Sequence, residues 1–132
     1  MLLKYQNDEA GATLVFDDNG KAAYAYLIVN KEVVSDVWLY NVGEPPQKQE
    51  WLDRKKLPFA NPYCFVFEET FEPINDPDEM GVSWVVGSDG LRQVSVSLRG
   101  QEHVILRPGT KPGWCRLAAK TSPIAKPLNE AK

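Results

Sequence analysis

Histidine and cysteine are what this chain has least of: one histidine, His103, and two cysteines, Cys64 and Cys115. Neither cysteine belongs to a Cys-x-x-Cys pair, and two are too few for the disulfide framework of a small secreted protein, so they read as reduced thiols. Zinc needs three or four Cys and His ligands, whereas these three residues are scattered over 52 positions. Asp76-Pro77-Asp78-Glu79-Met80-Gly81 imitates the start of a calcium loop, but Met80 stands where an oxygen ligand is required and Gly87 where the closing glutamate belongs. No glycine-rich loop joins a strand to a helix, so no phosphate cradle is expected, and neither metal nor cofactor is called for.

The scarcity of imidazole bears on catalysis. A Ser-His-Asp or Cys-His arrangement must carry the nucleophile's proton on a histidine, and His103 lies in the apolar run His103-Val104-Ile105-Leu106. Cys64, between Tyr63 and Phe65, has no nucleophile elbow around it. Both read as structural residues, and the chain is not expected to be an enzyme. No stretch approaches the roughly 20 apolar residues a bilayer demands, and Met1-Leu2-Leu3-Lys4-Tyr5 opens no basic leader with an apolar run behind it. A cytoplasmic protein with no membrane partner is expected.

What is present describes an ordinary globular domain: 132 residues, 43% hydrophobic, 25% charged, with four Trp, five Tyr and five Phe. One domain over residues 1–132 accommodates this length. The net charge of −3 supplies no pull toward phosphate polymers, which makes nucleic acid an unsuitable partner. That sum is uneven. Residues 107–132 hold six bases and one acid, net +5, while residues 1–106 hold nine bases and seventeen acids, net −8. The basic C-terminal segment is expected to dock on the acidic body, although exposed ion pairs contribute only about 0–1 kcal/mol each.

Short β-branched and aromatic runs separated by Gly, Asn, Asp and Pro predict an all-β fold. Ala12–Asp17 and Lys21–Asn30 flank the turn Asp18-Asn19-Gly20, Val33–Asn41 follows, Gly81–Ser88 and Leu91–Arg99 flank Asp89-Gly90, and His103–Arg107 extends that meander. Residues 43–62 carry four prolines and a charged centre and read as a long loop with room for one helical turn. Tyr63–Thr70 is predicted to resume as a strand and Glu72–Glu79 to form a second, acidic loop. Arg116–Lys120 fits a short helix before Pro123 or a last strand equally well. Seven or eight mostly antiparallel strands in a sandwich or partly open barrel, with at most one short C-terminal helix, summarise the expectation.

The most informative constellation is aromatic. Strand alternation puts Ala23, Ala25, Leu27 and Val29 on one face and Tyr24, Tyr26 and Ile28 on the other; the next strand sorts Val34, Asp36, Trp38 and Tyr40 from Val33, Ser35, Val37 and Leu39. A three-residue loop Asn30-Lys31-Glu32 aligns the two aromatic sets, whereas a two-residue loop places Trp38 and Tyr40 behind the tyrosines. In the aligned register Tyr24, Tyr26, Asp36, Trp38 and Tyr40, with Trp51 and Asp53 from the long loop, form a candidate partner-binding face. The competing expectation is that the loop carrying Trp51 and Phe59 folds over this face and buries it.

Asp36-Val37-Trp38-Leu39-Tyr40-Asn41, Leu57-Pro58-Phe59-Ala60-Asn61-Pro62 and Lys111-Pro112-Gly113-Trp114-Cys115-Arg116-Leu117-Ala118, taken in order along most of the chain, resemble a family of small uncharacterised bacterial proteins. Some members of that family look like immunity or accessory proteins of contact-dependent and type VI toxin systems. The resemblance implies stoichiometric binding of a protein partner, a toxin effector, and brings no catalytic residues with it. Glu50, Asp53, Glu68, Glu69, Glu72, Asp76, Asp78 and Glu79 would then supply an acidic rim that steers a basic partner. The alternative is a small-ligand or carbohydrate-binding module using Tyr24, Tyr26, Trp38 and Trp51, and below it a hydrolase built on Asp36, Glu68, Glu69 and Glu72. Oligomeric state is not legible.

Overall fold

A computed structural model describes residues 1–67 and 69–131. Two sheets carry the fold. The first is the meander β1 (Leu2–Asn7), β2 (Ala12–Asp18), β3 (Ala22–Val29) and β4 (Glu32–Asn41), paired in chain order. The second contains β5 (Met80–Gly87), β6 (Gly90–Leu98), β7 (Gln101–Leu106) and the two-residue strands β8 (Trp114–Cys115) and β9 (Lys126–Pro127), again in chain order. Every pairing is antiparallel except β8 with β9. The expected all-β fold is thus the observed one, as two open sheets rather than a closed barrel. Helical structure among the described residues is confined to single 3-10 turns, at Arg54–Lys56, Tyr63–Phe65, Pro77–Glu79 and Leu128–Ala131.

Alternation explains the core. Ala12, Leu14 and Phe16 of β2, Ala23, Ala25 and Leu27 of β3, and Val94, Val96 and Leu98 of β6 point inward at every second position and join one buried cluster with Val104 and Leu106 of β7. The sheets meet where β4 lies against β7 and β8. The remaining edge of β4 is also closed by main chain: Gly109 and Gly113 donate to Val34 O and Asp36 O at 2.8 and 2.7 Å, and Trp38 donates to Ile124 O at 2.9 Å. Gly113 is required there, because a Cβ would stand 2.5 Å from Ile105 O.

The register of β3 on β4 corrects the expected loop. The turn is two residues, Asn30 and Lys31, both with positive φ (52° and 66°), so Val29 pairs with Glu32. Two left-handed residues make the turn whose twist matches the flanking strands, and Asn tolerates that conformation well. Such a turn alone would have put Asp36 and Trp38 behind the tyrosines. A bulge that leaves Val34 unopposed restores the parity, giving Tyr26↔Asp36 and Tyr24↔Trp38. A second bulge leaves Leu39 unopposed and pairs Tyr40 with Ala23, which turns Tyr40 to the core side of the sheet.

Other segments differ from expectation. Among the described residues of 63–70 none lies in a strand: a 3-10 turn at Tyr63–Phe65 is followed by one isolated bridge, Val66 to Ala118. Pro62 sets extended backbone before the turn, and the segment lies against the C-terminal chain, with Phe67 donating to Leu117 O and Ala119 to Phe65 O. Residues 116–120 are neither helix nor strand but a turn closed by Ala118 donating to Cys115 O. β1 was not foreseen, and β8 and β9 are shorter than the composition of the C-terminal segment suggests. The long loop 43–62 holds as expected, with one 3-10 turn capped by Asp53, whose carboxylate accepts from Lys55 N at 3.0 Å.

Docking of the basic segment is seen, chiefly through the main-chain hydrogen bonds of Gly109, Gly113 and Ile124 to β4 and through one ion pair, while two of its other cations turn back on the segment itself. Arg116 makes a bidentate pair with Glu69 at 3.1 Å, but Arg107 and Lys126 lie 4.7 Å from the Trp114 ring, and Arg107 also donates to Ala131 O.

Candidate functional site

The predicted aromatic face is divided by the second bulge and by the loop that crosses it. Tyr24, Tyr26 and Asp36 are brought together as expected and line a cleft of about 380 Å³, walled by Leu57, Pro58 and Phe59 from the long loop and by Pro123 and Ile124. Trp38 and Tyr40 do not reach this cleft. They are buried, 1% and 0% exposed, and lie beneath a separate groove between residues 42–45 on one side and residues 66, 67 and 69–73 on the other. Trp51 stands behind the cleft wall, edge-on to Phe59 at 5.6 Å and to Phe65 at 6.0 Å, and Asp53 is occupied by its capping bond. The covering loop therefore prevails over most of the face, because Phe59 packs into the core and its carbonyl accepts the Tyr24 hydroxyl.

Within the cleft the tyrosine rings stack, centroids 6.1 Å apart and 11° from parallel. Tyr24 is buried and its phenol is pushed far above the ordinary range, first by burial and then by Tyr26 and Asp36. Tyr26 is half-buried and offers the accessible ring. Its phenol too is raised, by burial and by two carboxylates, Asp17 and Asp36. Asp17 pairs with Tyr24 across β2 and β3, so the carboxylates flank Tyr26 from the strands on either side. Partial burial raises the Asp36 carboxyl, and Lys111 offsets only part of that. Among the described residues no cation lies within ion-pair distance of Asp17 or Asp36.

This arrangement is suited to holding a cation. The Tyr26 ring, with Asp36 beside it in the recess and Asp17 on the neighbouring strand, attracts an ammonium or guanidinium through ring quadrupole and charge together. Asp17 and the wall residues were missed by the sequence reading. Asp17 was out of its reach, because a three-residue turn Asp18-Asn19-Gly20 opposes Asp17 to Lys21 on the face away from Tyr24, whereas the observed loop, residues 19–22, opposes it to Tyr24; Pro123 and Ile124 arrive from the far end of the chain with no local signal.

The residues considered for catalysis are elsewhere. His103 is fully buried, with Nε2 2.7 Å from Leu39 O, and burial drives its pKa down to about 4. Cys115, also fully buried, donates to the same carbonyl at 3.4 Å, and burial pushes its thiol up to about 12. The cysteine beside His103 is thus Cys115 and not the exposed Cys64. A thiol pushed up beside an imidazole pushed down favours the two neutral forms.

Of the acidic residues, Glu69 pairs with Arg116, and Glu50 accepts from Leu52 N and Asp53 N. Asp76 and Glu79 form a capping box around Pro77–Glu79, with Glu79 also held by Arg99 at 2.9 Å. Glu68 lies outside the described residues. No group of three or more potential metal-binding side chains occurs among those described, and no helix is long and apolar enough to cross a membrane. No protein-family model, curated protein or solved structure matches the chain.

Proposed function

We propose that the protein is a non-catalytic binding domain whose cleft receives a lysine or arginine side chain from a protein partner. The carrying observation is Asp36, a half-buried carboxylate without an ion-pair partner, set across from Tyr26 in a concave recess with apolar walls. An arriving cation would neutralise that carboxylate, lie on the exposed ring of Tyr26 and shield Leu57, which stands 55% exposed at the rim. The acidic body, net −8 over residues 1–106, favours approach of a basic protein. Stoichiometric capture of a toxin effector, as the resemblance implies, is the concrete form of this reading.

A second reading has one observation in its favour, the concavity of the cleft, which fits a small organic cation as well as a side chain. The carbohydrate form loses support, since neither Trp38 nor Trp51 lines the recess.

The test is a titration of the isotope-labelled protein with N-acetyl-arginine amide, its uncharged citrulline analogue and a neutral oligosaccharide, followed by amide chemical shifts. The arginine compound should shift residues around Tyr26, Asp36 and Leu57; Asp36→Asn should weaken that response about tenfold, the loss of one desolvated charge contact. Equal response to citrulline, or shifts elsewhere, would remove this cleft from consideration. Co-expression with the products of adjoining genes, for wild type and for Tyr26→Ala with Asp36→Asn, then separates a protein partner from a metabolite.

A further inference from the structure

The two open sheets have four edges, and three are protected. The outer edge of β4 is hydrogen-bonded by Gly109, Gly113 and Ile124. β9 is two residues long and contains Pro127. β1 carries Lys4 at its centre, on an exposed position. A charge, a proline, a short strand or a covering segment are the usual devices by which a sheet edge avoids pairing with another chain. β5 has none of these; the one bulge in its ladder leaves Arg92 of β6 unopposed near the strand's end, between Val85 and Val86. Met80-Gly81-Val82-Ser83-Trp84-Val85-Val86-Gly87 is an eight-residue edge strand with no charged residue and no proline, and it exposes Val85 at 48%. Among the described residues its ladder partner is β6, on one side alone.

We propose that this edge binds a second copy of the chain, β5 against β5, antiparallel about a two-fold axis through Ser83. The register follows from the strand's own composition. With Ser83 opposite its copy, Val82 stands opposite Trp84 twice, and aromatic with β-branched is a favourable cross-strand pair. Val82 and Trp84 already pack on the core from the inner face, so these pairs extend that face across the axis. On the outer face Val85 comes opposite Gly81, which has no side chain to oppose it. At the strand ends Glu79 of one copy comes beside Gly87 of the other, against which Arg92 lies. No like charges meet along the strand, whereas pairing β1 with itself would bring Lys4 near its copy.

The result is one continuous ten-stranded sheet. An eight-residue strand pair buries less than the roughly 1,200–2,000 Å² of a stable interface, so the dimer is weak and concentration-dependent. The surface is distinct from the cation cleft, which belongs to the other sheet, and neither proposal depends on the other.

The experiment is sedimentation velocity on the full chain from about 1 μM to about 1 mM, a range that spans weak association. Ser83 is exposed on the outer face, so Ser83→Lys and Ser83→Glu leave the core intact. The wild type should rise toward twice its monomer mass across that range. Each variant alone should remain monomeric at all concentrations, because like charges then face each other across the axis, and an equimolar mixture of the two should dimerise at least tenfold more tightly than the wild type. A wild type that stays monomeric overturns the proposal. So do variants that associate as the wild type does, or a mixture that remains monomeric. Amide exchange of the wild type gives an independent reading: protection must increase with concentration at residues 80–87, and an increase confined to β1 overturns the assignment to β5.

Discussion

His103 shows how one buried side chain makes stability depend on pH. Its Nε2 faces Leu39 O, its Nδ1 has no partner among the described residues, and Phe71 covers the ring at 5.1 Å. Burial opposes protonation most, and Arg116 and Arg99 add to it, outweighing the hydrogen bond to Leu39 O and the carboxylate of Glu69, which favour the proton. The folded chain therefore takes up its proton near pH 4, while an unfolded histidine takes it near 6.5. Between those values the unfolded state binds more protons, so this residue's contribution is complete above about pH 6.5 and is lost as pH falls toward 4, by up to about 3 kcal/mol. Urea melts at several pH values should show the loss in the wild type. His103→Gln keeps an N–H for the carbonyl of Leu39, and its curve should lack that component; identical pH dependence in both proteins would refute the assignment.

At the scale of the element, Asn41 at the end of β4 holds the long loop in place. Its side-chain amide donates to Asn61 O at 2.8 Å and accepts from Asn61 N at 2.7 Å, and the same oxygen takes the Trp38 indole N–H at 3.0 Å. Asn41→Ala leaves three buried or half-buried groups unpaired and should cost about 2–4 kcal/mol. Amide exchange should accelerate first around residues 57–61; uniform acceleration across β2 and β3 would instead mean that the loop is anchored elsewhere. The strands themselves were legible, because alternation in Ala12–Asp18, Ala22–Val29 and Gly90–Leu98 reports a half-buried sheet directly. Bulges are not legible in the same way. Val34 and Leu39 are as good strand residues as their neighbours, and only the tertiary demand to bury Tyr40 over Ala23 selects where an extra residue is placed. The candidate face was consequently read as seven residues, five on the strands and two on the long loop, where the fold brings together three. Tyr63–Thr70 misled for a related reason: Val66 packs on the core and Phe65 stands edge-on to Trp51, while Tyr63 and Phe67 are exposed, so its apolar content does not come from pairing in a sheet.

For the whole molecule the relevant quantity is the separation of charge. The basic C-terminal chain is tied down by its own main chain and by Trp114, so the excess acid of residues 1–106 remains largely available to the surroundings. Capture of a basic partner should then have an association rate that falls steeply as salt rises from about 0.01 M to about 0.15 M, where the screening length shrinks from about 30 to about 8 Å. Stopped-flow mixing at graded ionic strength checks this, and a dissociation rate that carries the whole salt effect would contradict it.

Gly109, Gly113 and Ile124 complete β4 from 75 to 86 residues downstream of their partners. As the polypeptide leaves the ribosome, the first four strands can meander together early, yet β4 must wait until residue 124 has been made before its last row of peptide groups is satisfied. Newly made chains halted before residue 109 would present that row to any neighbour, so premature termination here yields adhesive fragments and not a smaller working domain.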